Sequence, residues 1–94
     1  MGGAEGAAEI LRIYLDLLPG RRDAVLGAGD SDARARAAHA LRSPSALVGA
    51  GDLAARCRSI EARSREGGAV PEGELMAFAE ECVRVATALE ALAR

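Results

Sequence analysis

Tryptophan is absent from this chain, and its aromatic side chains are down to Tyr14 and Phe78, 2% of the residues. A core so poor in rings has to be assembled from Ala, Leu, Val and Ile, which suits close-packed helices better than a β-sandwich. Ala is also the strongest helix former, and the β-branched residues that favour strands are few. The fold class is therefore all-α. The two cysteines, Cys57 and Cys82, are too few and too far apart for a disulfide scaffold or a zinc site. The single histidine cannot complete a metal cluster with them, so no metal site is expected. Lysine is missing altogether, and all 12 basic residues are arginine. With the abundant Ala and Gly this points to a GC-rich, bacterial genome, an inference from codons. Neither charge sign dominates: a net charge of −2 lacks the basic surplus that a nucleic-acid backbone demands. No apolar run approaches the length of a membrane span, and Met1 to Glu5 shows neither the basic nor the apolar part of a secretion signal. The expected location is cytoplasmic, with neither nucleic acid nor a membrane as partner.

What is present reads as helix. At 94 residues the chain is one domain, 1–94, long enough for a single core, and half of its residues are hydrophobic. Four helical segments are separated by glycine-rich breaks. The first runs from about Gly6 to Leu26 with Ile10, Leu11, Tyr14, Leu17 and Leu18 on one side. Pro19-Gly20 predicts a kink there or two shorter helices. The second runs from about Ser31 to Val48, with Asp30 or Ser31 as N-cap, and its apolar line passes through Ala37, Ala38, Leu41, Ser45 and Val48. Arg34 lies on that line, near enough to the helix start for its head to reach water. The third, from about Ala50 to Arg65, repeats Leu53, Cys57 and Ile60 on one stripe. The fourth follows Pro71 and carries the heptad Leu75, Phe78, Cys82, Val85, Leu89 and Leu92, an intramolecular core stripe. Short connections between amphipathic helices predict an antiparallel up-down four-helix bundle, and a monomer. The two cysteines, at similar distances from the Gly67 to Pro71 turn, should meet inside it.

The chemistry has to lie around His39. Residues three, four and seven positions apart on a helix share a face, so His39, Arg42, Ser43 and Ala46 align while Ala38, Leu41, Ser45 and Val48 turn toward the bundle. A lone histidine is ordinarily an unremarkable surface or core residue. This one is expected to face solvent among small neighbours, with a guanidinium one turn away. A neutral imidazole keeps one nitrogen lone pair free to accept a phosphoryl group, and Arg42 could donate charge-assisted hydrogen bonds to it. On their own, Arg42, Arg34 and Arg36 would read as solvated charges. Gly49-Ala50-Gly51-Asp52-Leu53-Ala54 formally fits a dinucleotide fingerprint, but it follows a helix and not a strand, so it is discounted.

The stretch His39-Ala40-Leu41-Arg42-Ser43-Pro44-Ser45 resembles the signature of histidine-containing phosphotransfer (HPt) domains. There, His is followed by a variable residue, Leu, Lys, Gly and two small residues. The register continues through Gly49-Ala50, Leu53, Cys57, Ile60 and Glu61, and upstream Gly29-Asp30 and Ala37-Ala38 fit as well. The resemblance implies a phosphocarrier rather than a stand-alone enzyme. His39 would take a phosphoryl group from an aspartyl phosphate on one receiver domain and hand it to another. Arg42 would stabilise that group, and Ser43, Ala46 and Arg36 would meet the docking partner. Response-regulator receivers are the implied partners, with a histidine kinase as a second class, and Mg²⁺ would come from the receiver. The sequence departs from the pattern at Arg42 for Lys, at Ser43 for Gly and at Pro44. The last two favour the alternative of an HPt-like adaptor that binds a receiver or kinase without being phosphorylated. Pro44 is expected to bend the second helix, or else to end it early.

Overall fold

The computed structural model describes the backbone of residues 3–93 and the side chains of residues 6–93. Met1 and Gly2, part of the stretch read for a signal, lie outside it. Four helices account for most of the described residues: α1 (Gly3–Leu26), α2 (Ser31–Leu47), α3 (Gly51–Arg65) and α4 (Glu72–Ala93). They pack in a ring, α1 on α2, α2 on α3, α3 on α4 and α4 back on α1. Among the described residues there is no strand. The direction alternates, as cross-helix bonds show: Arg12 in the first half of α1 donates to the carbonyl of Ala93 at the end of α4, and Ser59 in the second half of α3 donates to Glu74 early in α4. The architecture is the expected all-α, four-helix bundle.

The turns have local causes. At the end of α2, Gly49 adopts φ +85°, a region costly for residues with a Cβ. The amides of Gly49 and Ala50 then reach back to the carbonyls of Ala46 and Ser45, at 3.1 and 2.8 Å. This is a Schellman closure, and Gly67 repeats it after α3 with φ +79°. Asp30 begins α2 by accepting the amide of Ala33 at 2.7 Å. Gly27-Ala28-Gly29-Asp30 and Gly49-Ala50-Gly51-Asp52 are the same tetrapeptide in two different turns. Only the first uses its aspartate as the N-cap; in the second that place falls to Ala50.

The core is aliphatic around one ring: Phe78 is fully buried, with Leu18, Val25, Leu41, Leu53, Ile60 and both cysteines. Tyr14 and Ser45, on α1 and α2, bury their hydroxyls against each other at 2.7 Å, which explains a serine on an otherwise apolar line. Burial pushes the Cys57 thiol up to about 12, with Cys82 adding to the shift, and the Cys82 thiol up to about 11. Both remain free thiols in one core cluster, as expected.

Several expectations need correction. Helix α1 continues through Pro19, so the two-helix version fails. Pro19 is exposed while Leu18 and Val25, on either side of it, are buried in the core. Helix α2 likewise continues through Pro44 to Leu47, against an early end. In α4 the heptad holds from Phe78 to Leu89, but Leu92 is 70% exposed. The α2–α3 turn lies beside residues Glu81 to Leu89 of α4 and stops short of Leu92. Ile10 is also exposed, not core. Arg34 is not spent on water: it donates to the carbonyls of Val25 at 2.9 Å and Leu26 at 3.2 Å, closing the C-terminal end of α1.

Candidate functional site

His39 stands midway along α2 on the face opposite Ala38 and Leu41, both fully buried. Its side chain is 55% exposed. The neighbours expected on that face are there too: Ser43 and Ala46 are exposed, and so is Arg36, which is only loosely paired with Asp32 at 3.9 Å. All five site residues lie on α2, and spacing along one helix does not reveal what faces them. The structure adds α3. Glu61, whose side chain is only 9% exposed, faces His39 and Arg42 from the neighbouring helix.

Its carboxylate collects three N–H donors and one further guanidinium contact. Oε2 accepts from His39 Nδ1 at 3.0 Å and from Arg65 Nε at 2.9 Å, with Arg65 Nη2 in ion-pair contact at 2.8 Å; Oε1 accepts from Arg42 Nη1 at 3.1 Å. Burial pushes the Glu61 carboxyl up, but the hydrogen bonds from Arg65 and His39 and the charges of His39 and Arg42 outweigh it, and the net shift is below the ordinary glutamate value. Glu61 is therefore ionised at neutral pH and can only accept. The Nδ1 of His39 must then carry the proton, and a neutral ring has its lone pair on Nε2. The exposed imidazole is thus oriented and set in one tautomer by a buried acid.

Arg42 is less free than its place on α2 suggested, since one nitrogen is bound to Glu61. Glu61 was visible in the sequence only as part of a family register, and Arg65 was not singled out. Both left a signal: His39 and Glu61 are equidistant from the Gly49–Gly51 turn, and Glu61 and Arg65 are four apart on one helix. The donor set does not suit a divalent cation, because the one carboxylate is already saturated with N–H groups; among the described residues no cluster of acidic, His or Cys side chains could hold one. No described helix is long and apolar enough to cross a membrane.

Comparison with known proteins agrees with the geometry. Neither curated proteins nor solved structures offer a match to the chain. The family model described as Hpt domain matches residues 9–94, which takes in all of the site and nearly all of the bundle, and the chain belongs to that family.

Proposed function

We propose that, within the phosphotransfer role in two-component signalling that the Hpt family implies, this chain is a phosphocarrier that relays a phosphoryl group between receiver domains through His39. The observation that carries the reading is the bond from His39 Nδ1–H to Glu61, which leaves Nε2 outward and nucleophilic. Nε2 attacks the phosphorus of an aspartyl phosphate; the N–P bond forms as the O–P bond breaks, and the aspartate leaves as a carboxylate. The phosphorylated ring gains positive character at Nδ1–H, and the Glu61 carboxylate beneath it stabilises that charge. The remaining N–H groups of Arg42 can turn to the phosphoryl oxygens. Passing the group on to a second receiver reverses these bonds. Mg²⁺ acts from the receiver's side, since this chain offers it no free carboxylate at the site.

The receiver docks over the exposed face of α2, meeting Arg36, Ser43 and Ala46. One turn beyond His39, Ser43 also opens an apolar groove with Ile10, Ile13, Leu17, Pro44 and Leu47. That groove adjoins the histidine, so an apolar face on the receiver could seat there while its acidic pocket meets His39. A phosphorylated receiver should transfer label to the wild type as an acid-labile, base-stable adduct and fail with His39→Gln. Arg42→Ala should slow transfer with little change in melting temperature. Binding without transfer would favour the adaptor reading, and label persisting in His39→Gln would refute the site.

A further inference from the structure

Glu61 Oε2 is shared between the imidazole and Arg65, and the sharing is lopsided. Arg65 donates Nε–H to this oxygen at 2.9 Å and brings the positively charged Nη2 within 2.8 Å of it, against one bond from His39 at 3.0 Å. The carboxylate torsion of a glutamate is broad and nearly two-fold, so nothing intrinsic to Glu61 decides which oxygen meets His39 or where it sits. Arg42 reaches only Oε1 and cannot settle this alone. Arg65 is one turn along the same helix, so its clamp on Oε2 is made within α3 and does not require α2 to be in place. The acceptor is thereby set before the imidazole arrives. Charge adds a second effect. With the ring neutral, two guanidinium groups against one carboxylate leave the cluster one positive charge, which suits an incoming phosphoryl dianion.

We propose that Arg65 is a positioning residue for phosphoryl transfer, fixing Glu61 Oε2 where it receives Nδ1–H of His39 and so keeping the lone pair on Nε2. The proposal rests on His39 being the phosphoacceptor. As an i,i+4 pair whose guanidinium is half-exposed, Arg65 and Glu61 would otherwise act only within the fold of α3. If Arg65 is lost, Oε2 is released, and the ring proton redistributes between the two nitrogens.

His39 is the only histidine, so ring ¹⁵N shifts of uniformly labelled protein report one imidazole without assignment. Wild-type protein with a neutral ring should show a protonated Nδ1 and an unprotonated Nε2. In Arg65→Ala and Arg65→Gln both shifts should move toward an averaged value, and transfer from a phosphorylated receiver should slow in proportion to the lost Nδ1–H fraction. Arg65→Lys should restore part of both. Circular dichroism establishes that each variant keeps the helical content of the wild type. Wild-type ring shifts in the folded Ala and Gln variants would overturn the proposal. A wild type that accepts no phosphoryl group would instead refute the phosphocarrier reading, while the ring shifts would still decide the role of Arg65.

Discussion

The imidazole of His39 and the carboxylate of Glu61 meet across two helices, Nδ1 to Oε2 at 3.0 Å, one side chain mostly in water and the other mostly out of it. The pairing gives a surface histidine a defined chemical state without enclosing it. If the bond strengthens as the ring takes up the phosphoryl group, its loss removes a charge-assisted interaction of about 1.5–3 kcal/mol, roughly 10- to 100-fold in rate. Glu61→Ala should therefore lower the transfer rate constant by about that factor, measured by rapid-quench transfer from a phosphorylated receiver. An unchanged rate would remove Glu61 from the mechanism.

Glu61 also makes the bundle sensitive to acid. Its folded-state affinity for a proton is lowered, so its contribution to stability is full above the unfolded glutamate pKa of about 4.3 and is lost as pH falls through the lower folded value. Denaturant titrations between pH 6 and pH 3 should show stability falling at the acid end. Glu61→Gln should flatten that fall, leaving only what the other carboxylates contribute.

The thiols act at the other end of the scale. Cys57 and Cys82 hold their protons up to about 12 and about 11 in the fold, against an ordinary thiol value of 9.0. Stability from their neutral forms is complete below about pH 9 and is lost as pH rises toward those folded values, because the unfolded chain ionises first. Both thiols should label slowly with a disulfide reagent at pH 8 and at the unfolded rate in denaturant. Fast labelling of either in the native protein would contradict its burial.

Arg34 should matter to the fold and not to transfer. Its guanidinium satisfies carbonyls that the end of α1 leaves open. Arg34→Met keeps the aliphatic stem and removes the donors, and should cost about 1–2 kcal/mol in urea unfolding. Transfer rates should stay at the wild-type value.

Pro44 interrupts α2 without ending it. Its missing N–H leaves the carbonyl of Ala40 short of a helical partner, and a proline inside a regular helix costs about 3 kcal/mol. Only one turn follows it, and proline also restricts the unfolded chain by about 0.4–1 kcal/mol. Pro44→Ala should accordingly stabilise the bundle by about 1–2 kcal/mol, read as a higher denaturation midpoint. Its ring lines the apolar groove beside Ser43, so the same variant should weaken receiver binding if that groove is the docking surface.

Much of this was legible in the residues because helices obey a simple period. The stripes through Leu53, Cys57 and Ile60, and through Phe78, Cys82, Val85 and Leu89, are buried as their spacing requires. The exposed face carrying His39, Ser43 and Ala46 followed from the same rule. Spacing along one helix says nothing about its neighbour, however, and the site is made between helices. Glu61 belongs to α3 and reaches His39 only through the register that the Gly49 turn imposes. Arg34 was misjudged for a similar reason, since its partners are backbone carbonyls of α1, which no pattern of side chains reveals. Periodicity also ran past its limit at Leu92, where the pattern continues and the α2–α3 turn does not.

The scarcity of rings leaves this bundle with a single ultraviolet fluorophore of consequence. Tyr14 lies on α1, its phenol bonded to Ser45 of α2 and shut away from solvent, and there is no tryptophan to drain or mask its emission. Any event that parts these two helices exchanges that hydroxyl partner for water. The chain thus carries its own optical gauge of the α1–α2 seam, next to the groove where a receiver would settle, and needs no dye to be watched as it binds.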